Sequence, residues 1–454
     1  MDLEELLRRQ ESKTLEFKRD LSSPNPIVKT IVAFANTSGG LLVIGVDDET
    51  RDVVGMPDPL GDEERLANLI ADRIEPPIVP DIEILAWRST NVLVARIADS
   101  SLRPHRVKSE GPHGGVYVRV GSTSRQAGPE LIRELDRYSR RGSFDEEPYP
   151  AASSEDIDFR AASESFRGIR VLKRPDLKTL RVLTTYQGRT VPTVGGMLLF
   201  GTDRLGSFPD AWVKIGSFGG RDRSRILDSK EITSYLPMAV EEAMVQIARM
   251  TATAIEIHGA RHVPRPAYPA TALREAVTNA VVHADYSQHG TPITISLFTD
   301  RIEVQNPGLL PFGLTLEDIR EGTSKLRNRV IGRVFKELRL IEQWGSGIQR
   351  MTEACRDAGL AAPLLEERAM GFRVTILAAP EGPARISALD AGVLEVLERH
   401  AGGGGASTSE VARAIGRSDR ATRTRLKTLL DRGLVVRVGS SRTDPGARWL
   451  PSKP

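Results

Sequence analysis

The stretch "IVKTIVAFANTSGGLLVIGVDDE", residues 27–49, constrains the fold of this chain more than any other. Its first half is an apolar helix, and its second half is a continuous apolar run that predicts a buried strand. The glycines at positions 39 and 40 allow a tight turn from the helix into that strand. A helix that leads directly into a buried strand indicates an α/β domain, with Asp47 and Asp48 at the end of the strand.

The rest of the chain mixes helices and strands in the same manner. Strands are predicted near residues 82–85, 92–97, 196–201 and 212–218, and a long helix from about residue 231 to residue 257. Segments rich in Pro, Gly, Ser and acidic residues, at 140–159 and 378–387, interrupt these patterns. We therefore predict an α/β (α+β) multidomain protein with domains at residues 1–140, 155–380 and 385–454.

Composition excludes several classes of protein. The single cysteine, Cys355, rules out an intramolecular disulfide and a cysteine-rich zinc site. The apolar runs are too short to cross a bilayer, and the charged start "MDLEELLRRQ" does not match a signal peptide. These features predict a cytoplasmic protein without a membrane partner.

The positive charge is concentrated in the last 70 residues. The whole chain has 63 Lys and Arg against 60 Asp and Glu, a net charge of +3. Residues 385–454 have 13 Lys and Arg against 7 Asp and Glu, so this segment carries +6 and the remainder −3. A local excess of this kind indicates a module that meets a polyanion.

The stretch "ESKTLEFKRD", residues 11–20, contains the first candidate site. If residues 14–18 form a strand, Leu15 and Phe17 face a core while Glu16 and Lys18 share the other face. If the two glutamates of this stretch lie close to an aspartate that follows the buried strand, the three carboxylates repel one another and require a cation. That cation could be Mg²⁺, Mn²⁺ or the basic groups of a partner. Such a metal site could cleave phosphodiesters, and Lys18 could stabilise charge on the phosphate. The alternative is a charged outer face, with the acids capping turns and loops.

Three motifs, "ESKTLEFKRD", "VAFANTSGGLLVIGVDDE" and "GVYVRVGSTSRQA", together resemble the AlbA-like domain of Schlafen proteins and of bacterial DNA-binding transcriptional regulators. In the Schlafens that act as RNases, the resemblance places the metal-binding and catalytic acids at Glu11, Glu16 and Asp48. Many bacterial members carry the same motifs with no nuclease activity implied. Both nuclease chemistry and plain nucleic-acid binding therefore remain open.

Basic residues near these motifs suit either interpretation. Hydroxyl groups and backbone N–H groups of "VGSTS" could meet phosphate oxygens beside them. The residues that we predict to contact nucleic acid in this domain are Arg103, Arg106, Lys108, Arg119 and Arg125.

A second candidate site begins in "ALREAVTNAVVHADYSQHG", residues 272–290, which predicts a helix with Glu275 and Asn279 on one face. The next stretch, "TPITISLFTDRIEVQNPG", predicts a hairpin that ends at Asn306 and Gly308. Later, "WGSGIQRM" places Gly345 and Gly347 immediately before a helix, where the backbone can approach an anion closely.

This order of motifs resembles the ATP-binding α/β sandwich of the gyrase, heat-shock-chaperone, histidine-kinase and MutL (GHKL) group, in the version found in RecG-related proteins. The resemblance implies that Asn279 holds Mg²⁺ and that Glu275, when catalytic, activates water. Two departures put turnover in doubt: the adenine-reading aspartate is replaced by Asn306, and the glycine-rich loop is reduced to "NPGLLP". No GxxxxGK[ST] sequence is present, so a helicase motor is not predicted.

The basic tail, residues 408–450, predicts two short helices broken at Gly416 and then two strands, the spacing of a winged helix-turn-helix. The second helix divides into a basic face and an apolar side, so it could pack inward while its basic face enters a major groove. The alternative is a winged helix used for protein contacts. The residues predicted to contact DNA here are Arg420, Arg423 and Lys427 on the second helix, and Arg442 and Arg448 in the wing.

Together these features favour a DNA-binding transcriptional regulator that responds to a nucleotide, with DNA or structured RNA as partner and ATP as ligand. The principal alternative is a Schlafen-like endoribonuclease that depends on Mg²⁺ or Mn²⁺ and cleaves tRNA or rRNA; a weak ATPase is a third. Since many DNA-binding regulators dimerise, we expect a homodimer.

Overall fold

The structure, a computed structural model, describes residues 3–256, 268–341, 345–368, 371–378, 388–400, 405–431, 434–438 and 448–451. The chain divides into two compact units, residues 1–379 and 380–454. The predicted division between residues 140 and 155 falls inside the first unit and stays a prediction.

The amino-terminal part of the first unit is built on a four-stranded sheet. Its elements are α1 (Leu3–Arg8), β1 (Leu15–Lys18), α2 (Pro24–Asn36), β2 (Gly40–Ile44), α3 (Pro59–Arg73), β3 (Ile74–Glu75), β4 (Asp81–Trp87), β5 (Thr90–Ile97), β6 (Arg106–Val107), α4 (Gly111–Gly114), β7 (Tyr117–Val120), β8 (Thr123–Gln126) and α5 (Pro129–Ser139). The sheet order is β1-β2-β5-β4; β1 is parallel to β2, and the other pairs are antiparallel.

Both faces of this sheet are buried. Leu42 and Ile44 belong to a core formed with α2 and α3, whereas Val43 and Phe17 belong to a core formed with α1. Successive side chains of β2 therefore pack into two different cores, because they point to opposite faces of the sheet. The predicted helix and buried strand of residues 27–49 are confirmed.

The hairpin β7-β8 packs on α2, and the side chain of Asn36 fixes the junction. The buried Asn36 amide donates to the carbonyls of His105, at 2.8 Å, and Tyr117, at 2.9 Å. Its amide oxygen accepts from the His105 N–H at 2.7 Å. Every polar atom of this buried amide thus has a partner, which holds the end of α2 against the hairpin.

The remainder of the first unit contains a second, larger sheet. Its elements are α6 (Phe159–Ser165), α7 (Asp176–Thr179), β9 (Leu183–Tyr186), β10 (Arg189–Pro192), α8 (Val194–Phe200), α9 (Arg204–Ser207), β11 (Val213–Phe218), β12 (Ile226–Ile232), α10 (Leu236–Glu256), α11 (Ala270–His283), β13 (Ile293–Leu297), β14 (Arg301–Pro307), α12 (Leu316–Arg320), α13 (Arg329–Glu337), α14 (Gly347–Asp357), β15 (Leu364–Arg368) and β16 (Gly371–Leu377). The six strands follow the order β12-β11-β13-β14-β16-β15.

Helix α11 packs against both α10 and α14, and α10 and α11 also pack on the large sheet. Ile293, Ile295 and Leu297 of β13 and Ile302 and Val304 of β14 are buried in the core beneath them. The predicted hairpin is confirmed by the antiparallel pairing of β13 with β14, and the predicted helix by α11. Mixed α/β architecture is therefore present in both halves of this unit.

Two sequence predictions in this region are wrong. Residues 196–201 were expected to form a strand, but Val194–Phe200 is a helix whose cap, Thr193, accepts the Gly196 N–H at 2.9 Å. All seven residues of this helix are buried, and a short, uniformly apolar run has no periodicity to separate helix from strand. The long helix begins at Leu236 rather than near residue 231, because Ile226–Ile232 is a strand.

Polar contacts join the two halves of the first unit. Lys13 Nζ lies 2.9 Å from Glu367 Oε1, and both side chains are nearly buried. The Gly313 N–H donates to the Thr37 carbonyl at 2.8 Å. On α5, Glu134 accepts a hydrogen bond from Arg327, which lies in the segment before α13. Burial raises the pKa of Glu134 to about 7, against the opposing effect of the Arg327 guanidinium.

The second unit consists of α15 (Ala388–His400), α16 (Thr408–Ala414), α17 (Asp419–Asp431) and the antiparallel strands β17 (Val435–Val438) and β18 (Arg448–Pro451). Leu426 and Leu429 of α17 are fully buried with Val393, Leu397 and other apolar residues of this unit. The element order is the one predicted for a winged helix-turn-helix, and the assignment to that class stays a prediction.

Within the described ranges, no helix combines the length and the apolar character that a membrane crossing requires.

The burial of Glu134 predicts a specific pH dependence of stability. The folded pKa of Glu134, about 7, lies above the ordinary value of 4.5, so the folded state binds this proton more tightly than the unfolded state. The stability that this proton contributes to the folded state is present below pH 4.5 and is lost as the pH rises through about 7. The wild type should therefore lose up to about 3 kcal/mol of unfolding free energy between these limits, whereas Glu134→Gln should not. Urea denaturation of both proteins across this pH range measures the difference.

Glu130→Gln, a partly exposed acid on the same helix, is the matched control and should leave the pH profile unchanged. Parallel profiles for the wild type and Glu134→Gln would contradict the raised pKa.

Candidate functional site

The Glu16 carboxylate, predicted to bind a metal, is neutralised by two cations of the chain itself. Only 8% of Glu16 is exposed. Lys18 Nζ lies 2.8 Å from its Oε1, and Arg119 Nη2 lies 3.0 Å from its Oε2. Glu16 and Lys18, which share one face of β1, therefore form an ion pair with each other, and Arg119 from β7 also pairs with Glu16.

Arg119 is a buried structural residue. Only 1% of it is exposed. Nη2 donates to the Ser12 carbonyl at 2.7 Å, Nη1 donates to Ser124 Oγ at 3.2 Å, and the guanidinium lies 5.0 Å from the centroid of the Phe34 ring. A guanidinium held on all sides in this way does not reach a phosphate at the surface, which corrects the predicted nucleic-acid contact.

The two other predicted acids have separate cationic neighbours. Glu11 Oε1 accepts the Phe17 N–H at 3.0 Å and lies 3.9 Å from Arg51 Nη1. Asp48 is half-exposed, with Oδ2 3.8 Å from Lys18 Nζ. The neighbouring Asp47 caps its loop by accepting the backbone N–H groups of Thr50 and Glu49, which lowers its pKa below the usual range.

This donor set does not fit a resident Mg²⁺ or Mn²⁺. The described ranges contain no group of three or more His, Cys, Asp or Glu side chains arranged to hold a metal ion. A divalent ion at Glu16 would have to displace Lys18 and Arg119, and breaking a buried ion pair in this manner costs several kcal/mol. Glu16 and Asp48 therefore share Lys18, and Glu11 lies beside Arg51, so basic residues rather than a metal ion offset these acids.

Of the other basic residues predicted in this domain, Arg103 is also buried. It is 2% exposed, donates to the Ala35 carbonyl at 3.1 Å and lies 3.4 Å from Asp99. That burial corrects its predicted contact with phosphate. Arg106, Lys108 and Arg125 are at least partly exposed, although Arg106 pairs with Glu75 at 3.0 Å, and their contacts with nucleic acid stay predictions.

The residues predicted for the nucleotide site do come together. Glu275 and Asn279 of α11, Asn306 of β14, and Gly345 and Gly347 at the start of α14 all line one pocket. Its floor is apolar, formed by Val304, Leu310, Leu314, Ile319, Leu326, Ile341, Ile348, Phe372 and Val374. An apolar floor with a few polar groups at its edge is the usual form of a small-molecule site.

Two glycines allow close backbone approach at this pocket. Gly345 has a φ of +67°, and a Cβ there would lie 2.0 Å from the Gly322 carbonyl oxygen. A Cβ on Gly347 would lie 2.7 Å from Glu275 Oε2, so a larger residue there would displace the end of the Glu275 side chain. Gly308, also predicted, lies outside the lining and packs against Asp285 and Arg327.

Charged and titratable groups at the pocket edge are already engaged. Arg350 Nη2 lies 2.7 Å from Glu275 Oε1, so the carboxylate predicted to activate water forms an ion pair. Burial lowers the pKa of His283 to about 4, which leaves its imidazole neutral near pH 7. Asn306 donates through its amide to the Pro307 carbonyl at 2.9 Å, which leaves the amide oxygen as the acceptor for an adenine amino group.

The pocket is small in this structure, with a cavity volume of about 120 Å³. Ligand sites commonly have 300–1,000 Å³, so this cavity would have to widen to admit a ligand the size of a nucleotide. Arg350, Lys325 and Phe372 also line the pocket, although the sequence patterns did not indicate them. Arg350 had a detectable signal, since it lies three residues after Gly347 and hence on the same side of α14.

In the second unit, Arg423 and Lys427 are exposed on α17. The side chain of Arg420 and the whole of Arg442, both predicted to contact DNA, lie outside the described residues. Arg448, predicted to contact phosphate, donates through Nη1 to the Gly405 carbonyl at 2.7 Å and so serves the fold of this unit.

Comparison with domain families supports both resemblances. Residues 11–128 match the family described as "Schlafen, AlbA_2", and residues 290–376 match the family described as "Putative ATP-dependent DNA helicase recG C-terminal". The chain thus carries an AlbA_2-type domain followed by an ATPase-like domain of the RecG carboxy-terminal type. Both domain types associate the chain with nucleic acids.

The solved structures that match this chain include two of low overall similarity. The DIP2311 protein from Corynebacterium diphtheriae is 17% identical, covers 99% of this chain and 98% of its own, and has a TM-score of 0.42. The N-terminal domain of a "Putative ATP-dependent DNA Helicase RecG-related Protein" from Nitrosomonas europaea is 29% identical, covers 28% of this chain and 90% of its own, and has a TM-score of 0.23.

The ion pair between Glu16 and Arg119 predicts a large, non-additive effect on stability. Arg119→Met leaves the Glu16 carboxylate buried with one cation fewer, and should lower the unfolding free energy by about 3–5 kcal/mol. The double variant Glu16→Leu/Arg119→Met removes both charges and should recover most of that loss. Chemical denaturation of the two single variants and the double variant measures this coupling.

Arg19→Met is the control, because Arg19 pairs with Asp47 at the surface and should cost less than about 1 kcal/mol. Additive losses in the double variant would show that the two side chains do not interact.

Proposed function

We propose that this chain is a DNA-binding transcriptional regulator whose affinity for nucleic acid is set by a nucleotide bound in its ATPase-like domain. The observation that carries the proposal is the pocket between α11, β14 and α14. Side chains and glycines from three separated segments, each predicted for nucleotide binding, line one cavity with an apolar floor.

A nucleotide fits the chemistry of this pocket. The floor around Phe372 and Val374 suits a purine ring, and the Asn306 amide oxygen can accept from its exocyclic amino group. Backbone N–H groups that follow Gly345 and Gly347 suit phosphate oxygens. Asn279 supplies an oxygen ligand of the kind that Mg²⁺ prefers, and Mg²⁺ would neutralise charge between adjacent phosphates.

The arrangement favours nucleotide binding over hydrolysis. Glu275 is the acidic residue that the resemblance assigns to water activation, but its carboxylate is 2.7 Å from Arg350. An arginine at this distance favours the charged carboxylate and competes for the lone pairs that would accept a proton from water. We therefore infer that ATP acts as a ligand that changes the state of the protein, with at most weak turnover.

Nucleic acid as partner rests on the two domain types and on the exposed basic residues of the first domain and of α17. DNA is favoured over structured RNA because the matched ATPase-like family is named for a DNA helicase. The endoribonuclease alternative gains no support from the amino-terminal acids, since Lys18, Arg51 and Arg119 lie where a metal would be needed. The expected homodimer and the cytoplasmic address stay predictions.

Nucleotide binding should be visible as thermal stabilisation. A ligand that binds only the folded state adds about 2.7 kcal/mol at a concentration of 100 Kd, so Mg-ATP should raise the melting temperature of the wild type. Asn279→Ala should abolish most of the rise, whereas Arg274→Ala, an exposed change on the same helix, should retain it. A wild type that no adenine or guanine nucleotide stabilises would overturn the proposal.

The state of Glu275 predicts the outcome of a turnover assay. Glu275→Gln should keep the Mg-ATP-induced rise in melting temperature and should release phosphate at the same low rate as the wild type. A wild-type rate that is high and falls by two or more orders of magnitude in Glu275→Gln would show that Glu275 acts as a general base and that hydrolysis is the main activity.

A further inference from the structure

A large groove lined by many charged side chains lies in the first unit, between α5 with the loop that follows it and α13. Its cavity volume is about 1,120 Å³, roughly nine times that of the nucleotide pocket. Arg137 and Arg141 line one side, and Arg329, Arg333 and Lys336 line the other. None of these five residues was singled out by the sequence patterns, because the two sides are almost 200 residues apart in the chain.

Helix α13 presents its basic residues from a fixed position. Arg329, Arg333 and Lys336 are spaced four and three residues apart, so they share one face. The opposite face is buried in the core. The amino terminus of the helix is held by the Asp145 carboxylate, which accepts the backbone N–H groups of Arg329, at 2.9 Å, Val330, at 2.7 Å, and Ile331, at 2.9 Å.

Positive charge exceeds negative charge in the groove. Eight Lys and Arg side chains line it, against three carboxylates. Glu134 and Asp285 lie beside Arg327, and Glu337 is 3.4 Å from Arg170. Two further groove cations pair with acids just outside the lining: Arg329 lies 3.3 Å from Glu146, and Arg137 lies 3.8 Å from Glu147. Positive charge gathered in a concavity focuses the field on anions, here in a chain whose overall charge is only +3.

Two of the remaining cations donate to neutral oxygens. Lys325 Nζ lies 3.5 Å from the Tyr138 hydroxyl and 3.3 Å from the Phe312 carbonyl oxygen. Arg333 Nη1 donates to the Thr179 carbonyl at 3.0 Å. These contacts orient the side chains without cancelling their charge, so the charge remains for a ligand.

We propose that this groove binds the sugar–phosphate backbone of nucleic acid. Six of its eight basic side chains are arginines, whose planar guanidinium groups match phosphate oxygens in pairs. A groove with cations along both sides matches a ligand that carries phosphates at regular intervals, and the edges of Tyr138 and Phe144 offer apolar contact to bases. This inference deepens the proposed function and rests on it, because it names where the nucleic acid lies.

The groove and the nucleotide pocket share a wall. Pro311, Ser324, Lys325, Leu326 and Ile341 line both cavities. A displacement of residues 324–326 when the pocket widens for a nucleotide would move Lys325 within the groove. Nucleotide binding would thereby change the positions of groove cations, which gives the regulator a direct physical link between its two ligands.

The test compares two charge-reversal double variants by fluorescence anisotropy. Arg141→Glu/Arg333→Glu changes one residue on each side of the groove. Arg160→Glu/Arg167→Glu makes the same change in charge at two exposed arginines near α6. The probes are a labelled single-stranded DNA, the duplex of the same sequence and a labelled RNA hairpin, so that the form of nucleic acid is identified in the same experiment.

The groove variant should bind at least about tenfold more weakly than the wild type. Its log Kd should also depend less steeply on log salt, by about 0.7–0.9 for each phosphate that the variant no longer neutralises. The control variant should bind as the wild type does. If the groove variant has a lower melting temperature than the wild type, the neutral double variant Arg141→Gln/Arg333→Gln is tested instead. It should also bind more weakly than the wild type and the control variant.

Several results would overturn the inference. Equal affinity of the groove variant and the wild type would leave the proposed function standing and remove the groove as its site. Displacement of the probe by polyglutamate or by tripolyphosphate as readily as by unlabelled DNA would assign the groove to an acidic protein or a small anion. Absence of any binding by the wild type would reject both the groove and the proposed function.

Discussion

The guanidinium of Arg327 fixes the geometry on which both cavities depend. It donates to Glu134 of α5 and to the Leu309 carbonyl after β14, and it lies 4.0 Å from Asp285 after α11. A buried guanidinium is stable only where acceptors converge, so three elements from different parts of the chain must meet at this point. The next residue extends the junction, since the Asn328 amide donates to the carbonyls of Val282 and Ala284 at the end of α11.

This junction explains why the amino-terminal domain and the ATPase-like domain form one compact unit. The segment that begins at Ser324 separates the groove from the nucleotide pocket, passes through Arg327, and becomes α13 with its basic face. A ligand in either cavity therefore contacts the same short segment. Coupling between the two sites requires only that this segment has different preferred positions with and without a ligand.

The amino-terminal domain illustrates how identical residue types can serve opposite purposes. Glutamates at this spacing could hold a metal, but here Lys18 and Arg119 supply the positive charge next to Glu16. The domain thereby keeps a buried carboxylate at the edge of its sheet without a metal ion. Any contact of this domain with nucleic acid would use other cations, such as the predicted Arg106, Lys108 and Arg125, which are at least partly exposed.

Local patterns in the sequence predicted a large part of this structure. The alternation that buries Leu15 and Phe17, the helix–turn–strand of residues 27–49 and the α11 hairpin unit all follow from the spacing of apolar residues. Five of the six residues predicted for nucleotide binding line one pocket, because their motifs carry glycines and polar groups at fixed intervals. Long-range pairing was not predictable. Nothing local distinguishes the buried Arg119 from the exposed Arg125, because Arg119 pairs with an acid more than 100 residues earlier in the chain. Arg103 and Arg119 were predicted at the surface but are buried, since an arginine can stabilise a core or bind a phosphate with the same chemistry.

The link between the two ligands through one shared wall is tested most directly by reciprocal affinity measurements. The Kd for single-stranded or duplex DNA would be measured with and without saturating Mg-ATP, and the Kd for Mg-ATP with and without saturating DNA. Each ligand should change the affinity of the other by the same factor, on the order of 5- to 150-fold, as thermodynamic linkage requires. Affinities that do not change in either direction would contradict the shared wall as the link.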